Sequence, residues 1–234
     1  MNNVLITGAS RGIGLEIAKS YYNGGYSVLT TSTSNWMHKN INPREHFQVN
    51  FNNEESMDAF LKKLKKYEID ILINNAGINK IDSFVNVKLE DFIKIQNVNV
   101  IAPFRICQVV IPKMKKKKFG RIVGLSSIWG KRSKEFRSSY SASKFAIDGL
   151  IKAIALEYSK HGILANSVAP GFIDTELTRK ILTKDQINYL TSLVPIKRFG
   201  TSEEVAKFIK WLGSKENTYI TAQNLAIDGG YTSA

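Results

Sequence analysis

Short apolar runs alternate with stretches of helical spacing from one end of the chain to the other. "NVLIT" (3–7) reads as a buried strand, and "GLEIAKSYYNGG" follows with helical spacing and a terminal glycine pair. "YSVLTTS" (26–32) and "HFQVNF" (46–51) predict the second and third strands. "EESMDAFLKKLKKY" (54–67) predicts an amphipathic helix with a basic outer face, and "IDILINNAG" (69–77) another buried strand. A helical stretch runs from about Leu89 to Lys117 and a strand follows at 120–127. Then come a long helix at 138–162, a strand at 163–171, a helix at 202–214 and a last strand at 223–230. Strands separated by helices imply βαβ units, a parallel sheet and right-handed crossovers. The prediction is a doubly wound α/β fold with a mainly parallel, seven-stranded sheet.

One crossover departs from the pattern. Between the second and third strands lies only "TSNWMHKNINPRE" (33–45), where Pro43 and three asparagines disfavour a long helix. About a dozen residues suffice for a parallel connection, so this one is expected to close mostly as loop. No internal repeat, low-complexity tract or linker interrupts the rest, and residues 1–234 read as one domain.

Composition narrows the class. The chain has 234 residues, 43% hydrophobic and 23% charged, which is ordinary for a globular protein. No stretch approaches the roughly 20 apolar residues of a membrane span, and the N-terminus runs into a strand without a basic flank or cleavage-like site. The single cysteine, Cys107, can form no intramolecular disulfide, which fits a reducing cytoplasm and a small apolar core residue. The net charge of +13 suits an acidic partner, a phosphorylated ligand or nucleic acid, and equally a solvated lysine-rich surface. No helix-turn-helix, zinc-ligand or RNA-binding signature is present.

Two motifs carry chemistry. "TGASRGIG" (7–14) places Gly8, Gly12 and Gly14 where a parallel strand hands over to a helix. Helix N-terminal amides attract anions, and missing Cβ atoms let a backbone approach a pyrophosphate. The spacing is G-x-x-x-G-x-G rather than G-x-G-x-x-G, so alone it is equally a turn packed tightly on the sheet. Tyr140 and Lys144 lie four apart on a predicted helix and share a face. An ammonium beside a phenol whose free pKa is about 10 favours the phenolate, which makes Tyr-x-x-x-Lys a workable acid/base pair.

This glycine spacing is followed in order by "NNAG" (74–77), Ser127, "YSASK" (140–144) and "PGFIDT" (170–175). The combination resembles the classical short-chain dehydrogenases/reductases over essentially the whole chain. It is most similar there to the 3-oxoacyl-[acyl-carrier-protein] reductases, through "FGRIVGLSS", "ANSVAPGFIDTELTR", "VPIKRFGTSEEVA" and "YITAQNLAIDGG". The resemblance implies a single Rossmann-type domain, with a cofactor half at about 1–120 and a catalytic and substrate half at about 121–234. It implies an NADP(H)-dependent cytoplasmic carbonyl reductase of fatty acid biosynthesis, commonly a homotetramer; no metal, nucleic-acid or membrane partner is expected from the sequence.

The resemblance also assigns roles. Tyr140 would protonate the carbonyl oxygen, and Lys144 would also bind the nicotinamide ribose. Ser127, thirteen residues before the tyrosine, would hydrogen-bond the carbonyl, while Ser126 serves the strand end. Asn99 would bend its helix and complete a proton relay; Asn97 competes, but the following V-x-A-P-F favours Asn99. The implied cofactor contacts are Gly8, Ser10, Arg11, Gly12, Ile13 and Gly14 in the loop. Ser32 and Thr33 follow at the end of the second strand and Asn50 at the third, then Asn75, Ala76 and Gly77. Pro170, Gly171, Ile173 and Thr175 would cover the nicotinamide. The second strand ends "TTSTSN" (30–35), without the acid that suits NAD, and Arg11 is placed to meet a 2′-phosphate bidentately or to stand as a surface cation.

Substrate is less constrained than chemistry. "KMKKKKFGR" (113–121) has basic residues at six of nine positions; in similar reductases a basic residue at the Lys118 position helps dock the acidic carrier. The second docking position falls at His161, where an arginine is expected. Cations also stabilise a helix C-terminus. "WGKRSKEFRSSY" (129–140) bears four basic residues beside the tyrosine, suited instead to a phosphate or carboxylate. The alternatives are a reductase of another small ketone or alcohol, such as a sugar, polyketide or charged metabolite, or a non-catalytic dinucleotide-binding protein.

Overall fold

The computed structural model describes residues 2–35, 38 and 40–234, the side chain of Leu177 excepted. Seven parallel strands form one sheet: β1 (Asn3–Ile6), β2 (Ser27–Ser32), β3 (Glu45–Gln48), β4 (Ile71–Asn74), β5 (Gly120–Leu125), β6 (Ile163–Pro170) and, at the end of the chain, β9 (Asn224–Ile227). Their order is β3-β2-β1-β4-β5-β6-β9. Inner strands such as β1 and β4 are short apolar runs because helices cover both faces, whereas the edge strand β3 buries only Phe47.

One layer contains α2 (Glu54–Leu64), α4 (Ala102–Lys117) and α5 (Ser138–Tyr158), packed around Leu5, Leu29, Leu72 and Ile122. The other contains α1 (Gly12–Asn23) and α8 (Ser202–Leu212), packed around Val4, Ile6, Ile71 and Val123. Alternate residues of each strand therefore serve opposite layers. Cys107 is buried in the first, and burial pushes its thiol up to about 12, so it behaves as a core residue.

Two sequence expectations are modified, and one unassigned segment acquires structure. The predicted helix from Leu89 to Lys117 is α3 (Leu89–Gln96), a π-helical stretch at Asn97–Ile101, and α4. The third strand stops at Gln48 rather than Phe51, because Asn50 and Asn53 use their side chains for local turns and to cap α2. Residues 172–201, not assigned above, form two helices, α6 (Glu176–Ile181) and α7 (Lys184–Ser192). They are framed by the small parallel pair β7 (Ile173–Asp174) and β8 (Gly200–Thr201). The 33–45 crossover contains no helix among its described residues, only a bridge between His38 and Ile41; Trp36, Met37 and Lys39 lie outside them.

Candidate active site

The strand order reverses between β1 and β4, and the segments singled out in the sequence follow the carboxyl ends of β1, β4, β5 and β6. That is the crevice where open α/β sheets bind ligands.

At β1 the glycines divide into two kinds. Gly8 has φ +68°, and a Cβ on it would lie 2.8 Å from Ala76 Cα. A Cβ on Gly14 would lie 2.2 Å from the Gly8 carbonyl oxygen and 2.4 Å from Asn75 Nδ2. These two glycines let the loop pack against the sheet. Gly12, at φ +54°, meets nothing nearer than Thr175 Cγ2 at 3.9 Å, so its missing side chain leaves open space at the start of α1. That is the room a pyrophosphate needs.

The "NNAG" turn braces this loop. Asn75 Nδ2 donates to the carbonyls of Thr7 and Gly8, both at 2.9 Å, and the Asn75 and Ala76 amides donate to Thr7 Oγ1 at 3.0 Å. The Asn75 amide nitrogen is thus committed to the protein. Gly77 is exposed, and a Cβ there would lie 3.5 Å from Asn99 Oδ1 and 3.6 Å from Lys144 Nζ, which ties the turn to the second motif.

Asn99 sits in the π-helical stretch, where one extra residue per turn swings its side chain inward. It is buried; its Oδ1 accepts from the Ile78 amide at 2.9 Å, and its Nδ2 donates to Ile78 O and Ser143 Oγ at 2.9 Å. Asn97 instead donates to Asn52 on the exposed surface. Ser143 in turn donates to the Tyr140 carbonyl at 2.7 Å. Its place in this chain was not legible in the sequence, where it is one small residue within "YSASK".

Ser127 follows β5 and is buried; its Oγ accepts from the Trp129 amide at 3.1 Å and hydrogen-bonds the Tyr140 phenol. Ser126 points the other way and donates to the Lys144 carbonyl. Lys144 is buried, with Nζ donating to the Leu125 carbonyl and lying 5.4 Å from the Tyr140 ring centroid. Burial pushes its ammonium down to about 8. The expected lowering of the tyrosine pKa is not the net result. Burial raises it, while the Ser127 hydrogen bond and the Arg137 charge pull it down. Desolvation of the phenolate outweighs both.

The remaining contacts are looser or already occupied. Arg11 is exposed at the N-cap of α1, and its charge is felt by Glu176 at the start of α6. Ser10 is partly buried, and Ile13 packs against the second core layer. Ser32 is buried, donating to Ser34 O at 2.6 Å and bonded to His46 Nε2, so the structure commits this hydroxyl to the strand end. Thr33 and Asn50 are exposed. Pro170 ends β6, Gly171 lies against Asp228, and Ile173 pairs with Gly200. Thr175 caps α6 by accepting from the Thr178 amide.

The comparisons agree with this geometry. Residues 8–232 match the family model described as enoyl-(acyl carrier protein) reductase. The 3-oxoacyl-[acyl-carrier-protein] reductase of Buchnera aphidicola subsp. Acyrthosiphon pisum is 38% identical over 232 residues, 96% of this chain and 95% of that one. Its counterpart from Escherichia coli K12 is 35% identical over 233 residues, 97% and 95% of the two chains. Among solved structures, ElxO with NADP bound superposes with a TM-score of 0.90 at 33% identity, covering 100% of this chain and 99% of that one. A 4-hydroxyisoleucine dehydrogenase complexed with NADH gives 0.92 at 30% identity, with both chains covered in full. A crevice of this construction, with Ser127, Tyr140 and Lys144 at its floor and relatives matched from end to end, places the chain in the short-chain dehydrogenase/reductase family.

Proposed function

We propose that this single-domain chain is an NADPH-dependent carbonyl reductase whose substrate is a 3-oxoacyl group on acyl carrier protein. The observation that carries the chemistry is the joined cluster Ser127–Tyr140–Lys144–Asn99, opening beside Gly77 at the floor of the crevice. The nicotinamide, when bound, supplies the hydride. The open space at Gly12 fits its pyrophosphate, and Arg11 would take the 2′-phosphate. Lys144 would hold the ribose hydroxyls beside Gly77.

Ser127 Oγ accepts from the Trp129 amide, and its O–H, directed toward Tyr140, would turn to donate to a substrate carbonyl oxygen. Tyr140, its pKa raised by burial, stays protonated at neutral pH and donates to the same oxygen as alkoxide charge develops. Lys144 keeps positive charge beside the phenolate left behind. Asn99, held at both ends of its amide, keeps the Ile78 turn and Ser143 in place for proton return.

The carrier assignment rests on the relatives' names and on one surface feature. Lys118 and the Gly162 turn touch through their backbones, so the end of α4 and His161 form one basic edge. No helix among the described residues is long and apolar enough to cross a membrane; a cytoplasmic location is our proposal from the family resemblance. A homotetramer is supported by exposed apolar side chains on the outer helices: Phe104, Phe145, Leu156 and Trp211. NADPH-dependent turnover of acetoacetyl thioester tests the activity. Efficient reduction of sugar ketones or steroids without thioester turnover would refute the substrate, and a monomeric light-scattering mass would refute the tetramer.

A further inference from the structure

The segment between Ser127 and Tyr140 carries four basic residues, and three of them are accounted for within the protein. Lys131 Nζ donates to the Asn224 carbonyl at 2.8 Å. Arg132 donates to the Tyr231 carbonyl at 3.3 Å and lies 5.5 Å from that ring's centroid. Lys134 Nζ lies 5.7 Å from the Trp129 ring centroid. Arg137 differs. It is half-buried, and among the described residues its guanidinium has neither a carboxylate partner nor a hydrogen bond. A half-buried guanidinium with no partner in the protein is partly desolvated and keeps its forked donors available to a ligand.

Its position is also set. Arg137 is the N-cap of α5, three residues before Tyr140, on the same side of the first turn. The preceding Phe136 adopts φ +62°, and its carbonyl accepts from the Asp82 amide at 3.3 Å, which fixes how the chain enters the helix. The first turn of α5 contains no acidic residue to neutralise the charge. The electrostatic coupling runs between Arg137 and Tyr140, with no acid contributing. Within the same segment Trp129 packs edge to face with Phe172 and Tyr231, with ring centroids 5.0 to 6.2 Å apart among the three.

We propose that Arg137 is a specificity-determining residue that gives the Tyr140 centre a second substrate class, small ketones bearing a carboxylate close to the reacting carbonyl. This rests on Tyr140 being the proton donor and goes beyond the acyl-carrier reading in substrate. The balance is that of ketone reduction: a hydride from the reduced nicotinamide, whose C–H bond breaks as the nicotinamide is oxidised, forms the C–H bond at the carbonyl carbon, the π pair passes to oxygen, and Tyr140 gives that oxygen its proton, leaving a phenolate. The guanidinium receives the carboxylate bidentately and orients the ketone.

The test uses the purified full chain with NADPH and a pair of ketones that differ in charge, acetoacetate and ethyl acetoacetate. The wild type is expected to favour the anion in kcat/KM by at least about tenfold. Arg137→Gln should remove that preference, mainly by raising KM for the anion, and Arg137→Lys should restore part of it. Equilibrium binding of 3-hydroxybutyrate against its methyl ester should follow the same order. A preference for the ester in the wild type, or an equal fall for both ketones in Arg137→Gln, overturns the proposal while the reductase reading stands. If neither ketone nor acetoacetyl thioester is turned over, both fall.

Discussion

The two ends of the crevice are built from similar residues but are held differently. At the catalytic end, Asn99, Ser143, Ser127 and Lys144 are buried and joined through short hydrogen bonds to each other or to backbone. At the other end, Arg11, Thr33 and Asn50 are exposed, and the crossover beside them has no helix among its described residues. Proton transfer tolerates little positional error, so its groups are locked before substrate arrives. Selection between cofactors needs only a charge in the right place, which the exposed Arg11 would supply under the proposed function.

The largest effects should fall at the locked end. Tyr140→Phe keeps the ring and removes the donor, so turnover should drop by at least about a hundredfold, with cofactor affinity nearly unchanged. Substantial residual activity would show that the phenol is not the acid. Gly14→Ala puts a methyl within contact of the Gly8 carbonyl and the Asn75 amide, both backbone-braced, so the loop must shift. Loss of NADPH binding in a fluorescence titration is expected, with the melting temperature lowered.

Lys144 joins function to stability. Its ammonium is pushed from the usual 10.5 to about 8 by burial. Below pH 8 both folded and unfolded chains carry the charge, and the folded state bears a cost on the order of 3 kcal/mol. Between about 8 and 10.5 the folded chain binds fewer protons than the unfolded one, so this group's contribution to stability improves as pH rises. Lys144→Met should therefore be the more stable protein at pH 7, its advantage shrinking by pH 10, and nearly inactive throughout. Ketone reduction by the wild type should decline above about pH 8, because Tyr140 remains protonated there while Lys144 loses its charge. A flat rate to pH 10 would separate Lys144 from the chemistry.

Smaller effects belong to the open end. NADPH should be preferred over NADH by at least about tenfold, roughly 1.4 kcal/mol, and Arg11→Ala should erase most of that by weakening NADPH alone. Equal kcat/KM for both cofactors in the wild type would refute the role. His46 bridges the hydroxyls of Thr30 and Ser32 at 2.9 and 3.1 Å. His46→Ala should cost about 1 kcal/mol in denaturant unfolding and shift cofactor preference little.

The alternation of apolar runs with helical spacing was enough to specify seven parallel strands and the helices over them, because strand and helix periods are local properties of the chain. The motifs pointed to Gly12, Tyr140 and Lys144 in the same way, since glycine spacing and i, i+4 spacing are readable along one segment, while Ser127 was singled out by the family resemblance. Other features depended on partners far away in sequence. The π-helical swing of Asn99 onto Ile78 and Ser143 is set by packing between α3, α4 and α5. The hydrogen bond between Ser32 and His46 arises only when β2 and β3 pair, a partnership no local stretch of residues shows. The helices at 176–192 are short and mostly exposed, so little apolar periodicity marks them. Whether burial or a neighbouring charge governs Tyr140 was decided by how deeply α5 packs against β5 and β6, a quantity that no local stretch of residues encodes.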